Sequence, residues 1–254
     1  MTSVDNTIKK PPYGSIAPIY DALMSHVNYH FWAHYINSIF NNEADNPEII
    51  LECACGSGIL ASHLAEYGYK IYGFDKSEEM IAVANARDKN ENLDFIPASF
   101  SDFPIEREYD GAICLYDSIN YILTGDEVIQ FLERIKQTLK PGGVFIFDIC
   151  TRYNSSVHFI KYVDEGVIDG WKYYRFSDYS PVTHIHVNKF KLYRLDNPKV
   201  MFTEDHTQFI YSMRQIRDFI KRSGFKLAAE YDDMTFNKAE YQSFRIHYVV
   251  RKPL

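Results

Sequence analysis

Two acids flanking a glycine turn define the chemistry open to this chain. Glu52 stands at the head of Glu52-Cys53-Ala54-Cys55-Gly56-Ser57-Gly58, and Asp75 closes the apolar run Tyr69 to Phe74. A glycine-rich turn after an apolar run, with an amphipathic segment behind it, lets the backbone come close to a ligand. An acid at the tip of the next strand, about 20 residues further on, is where an α/β nucleotide-binding sheet grips ribose hydroxyls. The spacing implies an adenosine-containing cofactor. Gly56-Ser57-Gly58-Ile59-Leu60-Ala61 also satisfies G-x-G-x-x-G/A, which leaves a nicotinamide or flavin dinucleotide as an alternative. Glu52 weighs against it, because a carboxylate near the end of a strand attracts a cation and offers nothing to an anionic pyrophosphate. No hydride-transfer set accompanies the turn, and no second mononucleotide half follows.

The elements that must hold these residues alternate between strand and helix. Apolar spacing predicts a helix over Tyr20 to Phe40, then strands at Ile49–Cys55, Lys70–Asp75, Leu93–Ala98, Gly111–Tyr116 and Val144–Ile149. Helices are expected at Ile59–Tyr67, from Ser77 to about Asp88, and at Asp126–Leu139, the last ended by Lys140-Pro141-Gly142-Gly143. The fifth strand is almost wholly apolar, as a central strand covered on both faces should be. Beyond Arg152 the pattern changes to long strands at Trp171–Asp178, Thr183–Tyr193 and Val200–Ile210, an antiparallel meander inserted into the α/β frame. A helix Met213–Ser223 capped by Gly224 and strands near Leu227–Tyr231 and Phe244–Val250 complete the frame. The expected division is 1–151 for the N-terminal helices and cofactor core, 152–211 for the insertion, and 212–254 for the completion of the core.

Composition narrows the partners. The chain has 254 residues, 46% hydrophobic and 24% charged, and a formal charge of -7 without a Lys/Arg stripe. Nucleic-acid binders need cations against phosphates, so a large RNA or DNA partner is disfavoured. The polar start, Met1 to Lys10, lacks an apolar signal core, and no apolar run reaches the roughly 18 to 20 residues of a membrane span. A cytoplasmic protein is expected. Cys53, Cys55, Cys114 and Cys150 lie at strand ends as small buried hydrophobes, and no metal site is expected.

Taken together, Glu-x-Ala-x-Gly-Ser-Gly, Gly-Phe-Asp75-Lys-Ser and Leu-Lys-Pro-Gly-Gly resemble class I S-adenosylmethionine-dependent methyltransferases. The likeness covers about Tyr20 to Ile149. Tyr20-Asp21-Ala22-Leu23-Met24 followed by Trp32 resembles the N-terminal helix of small-molecule N-methyltransferases, and the insertion is similar to the substrate cover of amino-sugar and glycine-type ones. The resemblance implies a Rossmann-like fold with a mostly parallel seven-stranded sheet, S-adenosylmethionine as cofactor, and a small-molecule acceptor methylated at nitrogen. Carried over by position, Glu52, Ala54 and Gly56 line the methionine part and Asp75 holds the ribose hydroxyls. Lys76 and Met80 flank adenosine. Ser99, where the family often has Asp, and Phe100 sit at the adenine. Leu115 is in the wall, and Tyr20 and Trp32 close the site. An RNA or protein methyltransferase and a non-catalytic cofactor-binding module are the alternatives. The oligomeric state is left open, with a homodimer as one expectation.

Methyl transfer from a sulfonium releases a neutral thioether, so it requires no oxyanion hole, metal or catalytic triad, and none is assigned. Acceptor residues are expected at the carboxyl edge of the sheet: Asp117, Asn120 and Tyr121 after the fourth predicted strand, Arg152 and Tyr153 after the fifth. Asp117 could position an amine or cap a turn. Arg152 could bind an acidic group or make a surface ion pair. The N-terminal segment with Tyr13 and Tyr20 is expected to close the other side. His184, His186 and His206 are expected on adjacent strands of the insertion, as ordinary sheet positions or a substrate-facing base.

Overall fold

The computed structural model describes residues 6–87 and 90–254. The larger of its two sheets holds β2 (Ile49–Cys53), β3 (Lys70–Asp75), β4 (Leu93–Pro97), β5 (Tyr109–Cys114), β6 (Leu139–Cys150), β11 (Lys226–Asp232) and β12 (Arg245–Arg251). They run in the order β11-β12-β6-β5-β2-β3-β4. Strands β2 to β6 pair in parallel, and β12 and β11 pair antiparallel beyond β6. This is the expected seven-stranded, mostly parallel sheet of the class I fold. The chain winds outward from β2 through β3 and β4, then returns on the other side of β2 as β5. The winding reverses between β2 and β5, and ligands of open α/β sheets bind outside the strand ends at such a point.

Burial explains the frame. In β6 every residue from Val144 to Cys150 is buried, because helices and strands cover both faces. Helix α2 (Tyr29–Glu43) buries a stripe of Trp32, Tyr35, Ile36, Ile39 and Phe40 at helical spacing. Helices α3 (Ile59–Ala65) and α4 (Glu78–Arg87) pack beside β3 and β4, and α5 (Gly125–Thr138) and α7 (Met213–Ser223) pack on each other. Ser212 and Gln215 form a reciprocal capping box at the start of α7, and Gly224 ends it with φ 78°.

The expected helix from Tyr20 to Phe40 is two: α1 (Tyr20–Leu23) and α2. The Asn28 side chain accepts the Phe31 N–H and starts a new helix there, which outweighs the continuous apolar spacing. Lys140 to Gly143 do not terminate α5. They already belong to β6, where Gly142 and Gly143 exchange backbone hydrogen bonds with Lys252. The expected end of α4 near Asp88 lies outside the described residues, as does the chain start before Asn6.

The insertion is larger than its three expected strands. It contains β7 (Tyr162–Ile168), β8 (Trp171–Tyr179), β9 (Ile185–Arg194) and β10 (Asn197–Phe209), preceded by α6 (Arg152–His158). A fifth strand, β1 (Asn6–Lys9), comes from the other end of the chain and pairs in parallel with β10, Ile8 opposite Phe202. The order is β1-β10-β9-β8-β7. The segment after β1 is thereby held over the carboxyl ends of the larger sheet.

Candidate active site

The turn after β2 exposes backbone to a cavity. Ala54, Gly56 and Gly58 have φ of 54°, 56° and 71°. A Cβ on Gly58 would lie 2.9 Å from the Phe95 ring, so that glycine serves packing. A Cβ on Gly56 would meet no protein atom within 4 Å; the bare backbone faces open space. The two glycines therefore do different work: one admits a neighbouring helix and ring, the other leaves room for a ligand.

Asp75, at the end of β3, accepts the Gly56 N–H at 2.9 Å through one carboxylate oxygen and the Ser77 N–H at 2.8 Å through the other. Burial raises its pKa, and the hydrogen bonds from Ser77, Gly56 and Lys76 offset part of that rise. The carboxylate is fixed in orientation while keeping lone pairs free for hydroxyls. Glu52, in β2, is buried, and its Oε2 has no hydrogen-bond partner. Burial, helped by repulsion from Asp75, pushes its pKa up to about 8. A buried carboxylate without a donor calls for a cation beside it.

Glu52, Gly56 and Asp75 line a cavity of about 1410 Å³. Tyr20, Trp32, Ala54, Lys76, Met80, Ser99, Phe100 and Leu115 line it too, so all eleven positions expected at the cofactor meet there. Ser99 is tied into its own turn: its N–H and Oγ both donate to Asp102, at 2.6 and 2.7 Å. Phe100 packs against Phe131 with centroids 4.6 Å apart. Helix α1 is stitched to the turn, since Ser57 Oγ donates to Asp21 at 2.6 Å and Arg87 pairs with the other Asp21 oxygen.

The expected acceptor residues divide. Tyr121 lines the cavity, where its hydroxyl lies 2.8 Å from that of Tyr13 and 2.9 Å from His206 Nδ1. Asn120 does not reach it. Its amide is fully buried, donating to the Phe209 carbonyl at 2.8 Å and accepting the Cys150 N–H at 3.1 Å, which fastens the insertion to β6. Arg152 donates to the Ile210 carbonyl and to Gln215 Oε1, neither a free anion-binding group nor a surface ion pair. Tyr153 stacks on Phe244 at 5.5 Å. Asp117 is held in an ion cluster: Arg245 Nη2 at 2.8 Å and Gln208 Nε2 at 2.7 Å meet its carboxylate, and Arg245 also pairs with the fully buried Asp148. These four lie at the expected sheet edge with their side chains committed to structure.

His184, expected within a strand beside His186, precedes β9 with φ 59°. The His186 ring stacks on Phe159, and burial lowers its pKa to about 4. His206 is buried on β10, with its Nε2 3.0 Å from Glu204. Sequence reasoning missed Tyr29, Tyr116 and Thr207, which complete the aromatic and polar lining. Tyr116 and Asp117 both have positive φ, 61° and 52°, a strained pair for which the sequence holds no signal. Among the described residues no group of acids, histidines and cysteines could hold a metal, and no helix is long and apolar enough to cross a membrane.

Residues 50–143 match the model of a methyltransferase domain. A Bacillus subtilis protein, YqeM, provisionally named a methyltransferase, is 29% identical over 94% of this chain and 97% of its own. A solved S-adenosylmethionine-dependent methyltransferase from Clostridium acetobutylicum superposes with a TM-score of 0.80 at 26% identity, covering 95% of this chain and 99% of that one. This protein is an S-adenosylmethionine-dependent methyltransferase. The methyltransferase also shares 26% identity over 53% of its length, and 53% of the other's, with a Streptomyces fradiae dTDP-3-amino-3,6-dideoxy-alpha-D-glucopyranose N,N-dimethyltransferase. The orphaned Glu52 and the open space at Gly56 fit a cofactor that carries positive charge and needs close backbone approach. The dinucleotide alternative lacks that complementarity.

Proposed function

We propose that the enzyme methylates an amine nitrogen on a small, polar molecule of the amino-sugar type. The observation that carries this is the size and cover of the cavity: it exceeds the roughly 300–1,000 Å³ of a single-ligand site, and besides the glycine turn and Asp75 its walls include Tyr13, Tyr121 and residues Asp205 and Thr207 of the inserted sheet. A cover made by one's own insertion suits a molecule that enters whole, and disfavours an RNA or protein chain that must run through. The S. fradiae relative acts, by its name, on an amino sugar.

In this reading Asp75 receives the ribose hydroxyls, Glu52 faces the positively charged end of the cofactor, and Ala54 and Gly56 admit it. Lys76, Met80, Ser99 and Phe100 surround the adenosine, and Leu115, Tyr20 and Trp32 border the methyl. Bound S-adenosylmethionine supplies a methyl group on a sulfonium. The protein's own contribution is to hold the amine in line with it and exclude water, and such orientation can supply roughly 7 to 11 kcal/mol. Segments 1–151 and 212–254 form the cofactor unit, except that β1 joins 152–211 in the cover. We assign the enzyme to the cytoplasm, whose reducing conditions suit four buried thiols.

The test is incubation with methyl-labelled S-adenosylmethionine and a small-molecule extract, with dTDP-3-amino-3,6-dideoxy-glucose as a defined probe. Label in an N-methyl product is expected. Label confined to added tRNA or protein, or tight cofactor binding with no turnover, would replace this reading.

A further inference from the structure

A chain of hydrogen bonds leaves the acceptor end of the cavity and ends in the protein interior. Tyr13 and Tyr121 both line the cavity, their hydroxyls 2.8 Å apart. Tyr121 meets His206 Nδ1 at 2.9 Å, and His206 Nε2 meets Glu204 Oε2 at 3.0 Å. Glu204 is fully buried, yet every contact it makes is with a donor: the N–H groups of Tyr13 at 2.8 Å and Ile16 at 2.9 Å, and both the N–H and the hydroxyl of Ser15. Burial would raise its pKa, but the bonds from His206 and Ser15 outweigh that and hold it below the usual range. The carboxylate is therefore charged, and it fixes the imidazole as the tautomer with its proton on Nε2. Nδ1 is left as an acceptor pointing at Tyr121. Burial raises both tyrosines, so neither is a standing phenolate.

We propose that Tyr13, Tyr121, His206 and Glu204 form a proton relay that strips an acceptor ammonium before methyl transfer. The inference rests on the nitrogen-acceptor reading. The ammonium N–H passes its proton to the Tyr13 oxygen as Tyr13 gives its own to Tyr121 and Tyr121 gives its own to Nδ1. The amine keeps the N–H electron pair, both tyrosines end neutral, and the charge rests on an imidazolium facing Glu204. The freed lone pair then forms the C–N bond as the C–S bond breaks and its electrons return to sulfur. Tyr13 and Tyr121 touch the acceptor; His206 and Glu204 are positioning residues acting through them. Among the described residues, Asp117, Asp75, Arg175 on β8 and Asp205 beside His206 are the other charged groups facing the chain, with Tyr20 the further titratable one. Two of the three acids are already ion-paired, Asp117 with Arg245 and Asp205 with Lys9.

The measurement is the pH dependence of label transfer from S-adenosylmethionine into N-methyl products of the same extract and amino-sugar probe, for wild type, Tyr121→Phe and His206→Gln. Near neutral pH both variants should lose about 10²-fold or more, and recover as pH rises and the amine deprotonates in solution. An equal loss at every pH would overturn the relay. Nitrogen NMR of the imidazole in wild type with the demethylated cofactor bound needs no acceptor: a neutral His206 ring with its proton on Nε2 is expected, and one with its proton on Nδ1 would overturn it. No N-methyl product from active, cofactor-binding wild type would sink the amine reading alone, leaving the NMR arm to judge the hydrogen-bond chain.

Discussion

Around the glycine turn the cavity is bounded by one tight stretch of chain, Ala54 to Ser57, and Asp75 reaches it from the neighbouring strand through the Gly56 N–H. Beside the inserted sheet the boundary is made of side chains, among them Tyr13, Tyr121, Asp205 and Thr207, with His206 and Glu204 hydrogen-bonded behind Tyr121. Backbone geometry tolerates side-chain replacement nearby, whereas an ion cluster or hydrogen-bond chain fails when one member is removed. The first end should therefore lose ligand while the fold survives, and the second should lose stability or turnover together with its geometry.

The largest effect expected is in the ion cluster at the sheet edge, outside the cavity lining. Arg245→Ala leaves Asp148 fully buried beside a second acid, Asp117, without their shared cation. A loss of about 3–5 kcal/mol of folding stability is expected, read by denaturant unfolding; a change under 1 kcal/mol would show the cluster to be better hydrated than its burial indicates. Asp75→Ala comes next, weakening cofactor binding by roughly 1.5–3 kcal/mol, the range for hydrogen bonds to a charged group. Calorimetry with S-adenosylmethionine checks it, and unchanged affinity in a folded variant would move the ribose elsewhere. The smallest effect is a pH trend from Glu52. Its pKa of about 8 lies above the unfolded value, so its contribution to the stability of the ligand-free protein is present at low pH and fades between the unfolded pKa and about 8. A bound cation reverses the trend, and cofactor affinity should rise toward pH 8 by less than about tenfold per pH unit. Glu52→Gln should flatten both curves; a pH slope that persists in it would assign the titration to another group.

The same contrast explains what could be read from residues alone. Strand β3 has the bounds its pattern predicts, Lys70–Asp75, because an apolar run between punctuating residues is a local signal. The positions expected at the cofactor near the glycine turn and Asp75 line one cavity for a related reason: a turn and the strand tip beside it are fixed by short-range geometry. Strand β1 was not legible. Asn6-Thr7-Ile8-Lys9 is short and mostly polar, and its strand conformation comes from pairing with Val200–Thr203 at the far side of the sequence. Strand β7 carries Asp164, Glu165 and Gly166 and sits at a sheet edge with alternate residues exposed, so no apolar alternation marks it. Asn120, Arg152 and Tyr153 show the limit of placing residues by strand ends. An edge position says where a Cα lies, and these three side chains turn to hold backbone or ring partners that the sequence does not announce.

The pairing of β1 with β10 also sets an order of events during synthesis. Ile8 leaves the ribosome long before Phe202 exists to pair with it. At roughly 5–20 residues per second the wait is on the order of 10 to 40 seconds. Through that interval the glycine turn, α2 and the first parallel strands can assemble, while Tyr13 and Ser15 have no Glu204 to hold them. A nascent chain is thus able to shape the part of its cavity around the glycine turn before the inserted sheet can cover it. Chains that stall ahead of residue 204 would carry an uncovered cleft and a leading segment without its Glu204 anchor.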